Sequence, residues 1–160
     1  MRRFSFNQKS IVMKKLVIVL TVAVMLFSAF AFATDSDKVN YKVKASFSND
    51  FATARNVSWE KTSDFYFAAF TINNMEVNAA YNEAGELVGT SRNIESSQLP
   101  ISVSLALTKR FNGYEISKKA LELNFEGETR YYITVANERQ ALKLKCSING
   151  NITVERKVKK

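Results

Sequence analysis

YNEAGELVG at 81–89 and CSINGNITV at 146–154 have one outline: an apolar lead-in, turn-forming residues, a glycine and a strand-like tail. A shift of 65 residues without gaps carries one onto the other. It also sets Phe70 on Val135, Val77 on Leu142 and Ala79 on Leu144. Between 65 and 93 only Tyr66/Tyr131 and Gly85/Gly150 are identical, so the likeness lies in alternation and turn placement. A chain that writes one hairpin twice is expected to be built from two similar halves.

Strands are the clearer elements. Phe65–Ile72 is rich in aromatics, and Met75–Tyr81 alternates Met75, Val77, Ala79 and Tyr81 with polar Glu76 and Asn78. Asn73-Asn74 between them is a two-residue turn signal. Glu86–Ile94 continues the first half. In the second half Tyr114–Phe125, Thr129–Ala136, Gln140–Ile148 and Asn151–Val158 read as strands, with turns at Gly127 and Asn149-Gly150. Val39, Val43, Phe47 and Phe51 recur at steps of four, the face of a helix, although Tyr41, Val43, Ala45 and Phe47 would also suit a strand. Residues 101–111 pose the same choice. There Pro100 suits a first turn, Ser96 and Ser97 are possible caps, and Asn112-Gly113 is a stop. Reading both as helices gives an α+β fold: a tandem repeat, about 38–98 and 99–158, of a helix packed on an antiparallel sheet with about four strands per repeat. A helix covers only one sheet face, so the other is expected to be open.

The first 33 residues read as a leader. Met13-Lys14-Lys15 is basic, LVIVLTVAVMLFSAF is apolar, and Ala31-Phe32-Ala33 is a small-x-small cleavage site. Met13 is a possible start of translation. Residues 34–160 are then a single exported domain, periplasmic or secreted, with no membrane span after cleavage. The leader holds five of the 23 Lys+Arg and none of the 15 Asp+Glu, so the rest carries 18 bases against 15 acids. Arg156, Lys157, Lys159 and Lys160 crowd the C-terminus, which blunts a sheet edge. The body lacks the clustered basic footprint of nucleic-acid binding. Cys146 is the single cysteine, so no internal disulfide forms. Parity puts it on one face with Leu142, Leu144 and Ile148, as a small core residue.

The residues of common catalytic sites are missing. There is no histidine, hence no Ser-His-Asp or Cys-His machinery and no usual catalytic zinc site. Five glycines form no phosphate loop. DSDKVN at 35–40 starts like a calcium loop but has Val39 at the third ligand and Asn40 where glycine is required. We expect no enzyme activity, cofactor or metal.

FSNDFATARNVSWEKTSDFYFAAF, VNAAYNEAGELVGTSRNIESSQLP, FNGYEI and TRYYITV together resemble the PepSY-like, β-lactamase-inhibitor-like (BLIP-like) family of secreted bacterial proteins. The resemblance spans nearly all of 43–158. Its most specific pieces are Phe51…Ala54…Val57-Ser58-Trp59, Tyr81-x-x-x-Gly85-Glu86-Leu87, Leu99-Pro100 and Gly113-Tyr114. It implies tandem α+β repeats, no catalytic residues to carry over, and an exported role such as binding an enzyme across an open sheet or regulating a peptidase. This chain lacks the inhibitors' cysteine pairs.

The expected function is therefore an exported binding module for an unidentified protein partner, with an envelope-associated or self-associating homodimer as the alternative. The shift of 65 makes Tyr66, Ala68 and Phe70 equivalent to Tyr131, Ile133 and Val135, which should face the helices. The opposite face then carries Phe65, Phe67 and Tyr132, our candidate partner-binding residues.

Overall fold

The computed structural model describes residues 38–159, so the expected leader lies outside the described residues. Helix α1 spans Tyr41–Asp50 and is followed by β1 Arg55–Lys61, β2 Phe65–Ile72, β3 Met75–Asn82 and β4 Leu87–Glu95. A 3-10 turn at Ser96–Gln98 leads into α2, Ile101–Arg110. The chain ends with β5 Glu115–Phe125, β6 Glu128–Ala136, β7 Gln140–Ser147 and β8 Ile152–Lys159. Each strand pairs antiparallel with the next, giving one eight-stranded sheet in chain order. The fold is thus α+β, and β4 joins β5 from Gly89↔Phe125 to Glu95↔Lys119.

Both ambiguous segments are helical, each for a local reason. At α1 the Asn40 side chain accepts from the Lys42 N–H at 2.9 Å and satisfies one of the free donors of the first turn. Its inward positions, Val43 and Phe47, are buried. At α2, Pro100 precedes the first turn, and Lys109 and Arg110 sit in the last turn, where cations suit the helix dipole. Arg110 also donates to the Ile152 carbonyl at 2.7 Å, tying the helix end to β8. Ser96 and Ser97 form the 3-10 turn instead of capping α2.

Two cores lie on the same side of the sheet. Under α1, Val43 and Phe47 pack with Trp59, Tyr66, Phe70 and Tyr81. The Phe47 ring meets both Trp59 and Phe70 edge-on at 5.1 Å, a favoured aromatic geometry. The Tyr81 hydroxyl donates to Asp50 Oδ2 at 2.8 Å, so this buried phenol keeps a partner. Under α2, Val103, Leu107 and Phe111 pack with Ile133, Val135, Leu142, Leu144 and Cys146. Between them runs a polar seam where Arg92 of β4 meets Glu122 of β5 at 2.6 Å. Burial, and then Glu122, raise the phenol pKa of neighbouring Tyr131.

The doubled hairpin now has a physical meaning. A Cβ on Gly85 would lie 3.1 Å from the Lys42 carbonyl, and one on Gly150 would lie 2.6 Å from that of Ser102. Lys42 and Ser102 are each the second residue of their helix. Each hairpin tip therefore presses its glycine against the first turn of the preceding helix, with φ +84 and +83. Elsewhere Asn73-Asn74 and Glu126-Gly127 have positive φ at both residues, which suits tight hairpins between strands of right-handed twist.

Three features differ from the sequence reading. Strand β1 has no counterpart in it: RNVSWEK is mostly polar, Asn56 has a positive φ, and only Trp59 is buried. Ile148 does not join Cys146 inside. Strand β7 ends at Ser147, and Ile148 is 52% exposed in the following turn. The two halves also merge into one sheet.

Substitution at the two kinds of glycine should separate packing from backbone strain. Gly127 has open space around it, so Gly127→Ala meets only the left-handed φ of 77 and should cost about 1 kcal/mol. Gly150→Ala adds the clash with Ser102 and should cost about 3 kcal/mol by urea unfolding. Equal costs would show that the tip moves freely off the helix.

Cys146 is fully buried, and burial pushes its thiol pKa up to about 11. A thiol reagent at pH 8 should label native protein far more slowly than urea-unfolded protein. Cys146→Ala should cost about 1 kcal/mol. Rapid native labelling would show that this strand opens readily.

Candidate protein-binding face

Strand register fixes which side chains leave the sheet on the far side from the helices. Tyr66, Ala68 and Phe70 belong to the α1 core, so Phe65, Phe67, Ala69 and Thr71 point the other way. On β6, Tyr131, Ile133 and Val135 belong to the α2 core, which sends Arg130, Tyr132 and Thr134 to the far side. This is the parity the sequence implied.

Phe65, Phe67 and Tyr132 share this face without touching. Phe65 and Phe67 have ring centroids 6.4 Å apart on β2. Tyr132 stands on β6, four strand spacings or roughly 19 Å away. The rings do not stand in water: exposures are 7% for Phe65, 2% for Phe67 and 9% for Tyr132. Both helices lie on the opposite side, so neither supplies this burial.

The register supplies what lies between them. Phe67 is opposite Ala80, Ala80 opposite Gly89, and Gly89 opposite Phe125. In the adjacent row Asn78, Ser91, Leu123 and Arg130 follow one another across the strands. Small side chains on β3 and β4 thus form a low floor, with Phe65 and Phe67 on one side and Leu123 and Phe125 on the other. Gly89 must stay small, because a Cβ there would lie 2.7 Å from the Asn124 carbonyl. Ser91 is 3% exposed, and its hydroxyl is the one buried side-chain polar atom among the described residues without a hydrogen-bond partner. Such a hydroxyl is costly to leave unpaired.

Charge on this face is divided. The β1–β4 half carries Glu60, Glu76 and Glu95 against Arg55. The β5–β8 half carries Lys119, Arg130, Lys143, Lys145 and Arg156 against Glu115, Glu128 and Glu155. Two of these acids are paired locally, in Arg130–Glu128 and in Lys145–Glu155 at 3.1 Å. Burial and then the Glu155 charge raise the Tyr132 phenol pKa, while Arg130 opposes them.

Leu123, Phe125, Gly89 and Ser91 were not singled out from sequence. β5 carries two extra residues between Ile116↔Val135 and Ala120↔Ile133, an even number that keeps parity, but its apolar residues fall on both parities, Ile116 and Ala120 on one and Leu121, Leu123 and Phe125 on the other. A similar irregularity sits between Ala80 and Tyr81. Polar Glu122 and Asn124 flanking Leu123 were the available signal. Among the described residues no group of His, Cys, Asp and Glu could hold a metal, and no helix is long and apolar enough to cross a membrane.

No family model and no curated protein matches the sequence. Solved structures do match. A BLIP-like protein from Bacteroides fragilis NCTC 9343 aligns over 79% of this chain and 93% of its own, with TM-score 0.64 and 18% identity. A DUF2874 family protein from Bacteroides uniformis ATCC 8492 aligns over 76% and 89%, with TM-score 0.63 and 17% identity. A Bacteroides eggerthii DSM 20697 protein, assigned provisionally to the periplasm, aligns over 76% and 88%, with TM-score 0.63 and 17% identity. At these identities the likeness is one of architecture, and it matches the BLIP-like resemblance read from the residues: the chain has the BLIP-like α+β fold.

Proposed function

We propose that this chain is an exported, non-enzymatic binding module that grips a protein partner through the far face of its sheet. Its use would be to inhibit or regulate a peptidase or another envelope enzyme. The observation that carries this reading is the BLIP-like fold, an eight-stranded sheet with both helices on one side. Because Phe67, Ser91, Leu123 and Phe125 are themselves buried, half-buried Leu121 and the exposed Glu60, Glu76 and Lys119 around them would meet the partner. The leader-like residues 1–33 and the provisionally periplasmic eggerthii protein of the same fold support export. The BLIP-like fold supports a binding role. The lack of histidine, and of metal-site groups among the described residues, supports a role without catalysis.

Capture of a partner from periplasmic extract should be compared across three variants. Phe67→Ser with Tyr132→Ser should abolish it, although both residues are buried and the fold itself can be lost. Leu121→Lys avoids that problem, because half-buried Leu121 stands opposite Tyr132 on the same face. It should weaken capture at least tenfold, about 1.4 kcal/mol, with an unchanged melting temperature. Thr108→Lys, on the exposed side of α2, should leave capture intact. Full capture by Leu121→Lys would remove this face from the binding role.

A further inference from the structure

The outer side of α2 is apolar where a helix packed on a sheet is ordinarily polar. Val103 and Leu107 face the core, while Ile101 and Leu105, one turn apart, point outward and are 78% and 66% exposed. Helix α1 has Tyr41 and Ala45 at the matching positions, but it ends on Asn49 and Asp50, whereas α2 ends on Lys109 and Arg110. Only α2 sets exposed aliphatic side chains beside a basic end.

Strand β8 continues this surface. The Gly150 tip packs on Ser102 and Ala106, so Lys109, one turn past Ala106, lies on the side of α2 toward β8. Arg110 ties the two elements through the Ile152 carbonyl. Val154 and Lys157 stand opposite Leu144 and Leu142, members of the α2 core, so they leave the sheet on the helix side. Lys159, opposite Gln140, has the same parity. Val154, Lys157 and Lys159 are all exposed. Among the described residues no acid stands at a helix-side position of β7 or β8, and Lys109, Lys157 and Lys159 form no ion pair. In the adjoining β6–β7 turn Glu138 is followed by Arg139.

We propose that this ridge rests on an anionic phospholipid bilayer, with Ile101 and Leu105 entering its interface and Lys109, Lys157 and Lys159 reaching headgroup phosphates. Composition separates a bilayer from a protein partner. Protein interfaces are enriched in aromatic residues, Met and Arg and depleted in Lys. This ridge instead offers aliphatic side chains and Lys on the outer side of a helix, the pattern of proteins that lie on a membrane surface. Two aliphatic side chains insert weakly by themselves, and each base near the surface adds attraction to anionic headgroups. The ridge is on the helix side of the sheet, so a bilayer-bound molecule keeps its far face free.

Flotation with lipid vesicles tests this. Residues 34–160, which hold both cores and all eight strands, are used so that the apolar stretch before them takes no part. The protein should float at low salt with vesicles of equal parts phosphatidylcholine and phosphatidylglycerol. Affinity should fall about tenfold on phosphatidylcholine alone, and it should also fall as salt is raised. Ile101→Ser with Leu105→Ser should weaken binding to the mixed vesicles about tenfold with an unchanged melting temperature, because both side chains stand outside the core. Lys157→Glu with Lys159→Glu should reduce it to the level seen on phosphatidylcholine. Both variants should capture a protein partner as wild type does, so this proposal and the role of the far face fail separately. Wild type that does not float, or that binds both vesicles equally, overturns the proposal. So does full binding by the Ile101→Ser, Leu105→Ser variant, which would mean adsorption by net charge alone. If wild type does not float and the lysine variant loses protein capture, the ridge is a protein contact and the bilayer is overturned.

Discussion

The pairing of β4 with β5 is the constraint on which the rest depends. Before it forms, each half has a helix over four strands, with one edge that would leave backbone donors and acceptors unpaired. Pairing from Gly89↔Phe125 to Glu95↔Lys119 removes both inner edges at once. It also places Ile94 of the first half in the core under α2, so the two halves share packing as well as hydrogen bonds. The cost falls in the seam between the cores, where Arg92 and Glu122 must satisfy each other on the helix side. The same pairing sets the small residues of β4 beside the large ones of β5 on the far side, and so creates the candidate face.

The outer edges are handled differently. On β1 the pairing shifts between Arg55 and Ser58, and most residues are exposed. On β8 every residue after Ile152 is exposed, and Arg156, Lys157 and Lys159 discourage another strand from adding there. The sheet therefore ends at eight strands by charge on one side and irregularity on the other.

Much of this was legible in the residues because alternation and turn chemistry are local signals. Phe65–Ile72 is a strand with the bounds its aromatics imply, and Asn73-Asn74 turns as a two-residue loop should. The helix at 41–50 was legible from Val43 and Phe47 at a spacing of four. What failed was non-local. Polar RNVSWEK becomes β1 only because β2 presents an edge to it and Trp59 finds Phe47. Leu123 and Phe125 could not be assigned to a face, because β5 has apolar residues on both parities, Ile116 and Ala120 on one and Leu121, Leu123 and Phe125 on the other. Parity put Phe65, Phe67 and Tyr132 on the side of the sheet away from the helices. Their distance apart, and their withdrawal from water, depend on strand order and sheet packing.

The chain-order sheet also bears on how the protein reaches its folded state. Here every strand finds its partner in the next stretch of chain, and no pairing must wait for a distant segment. The longest closure is β4 to β5, which spans only the 3-10 turn and α2. Low contact order of this kind favours rapid folding among all-antiparallel sheets. With Cys146 alone, nothing waits on disulfide exchange, the slowest step for many exported proteins. The fold can therefore assemble in the order in which the chain emerges, each helix meeting its hairpin glycine before the next half begins.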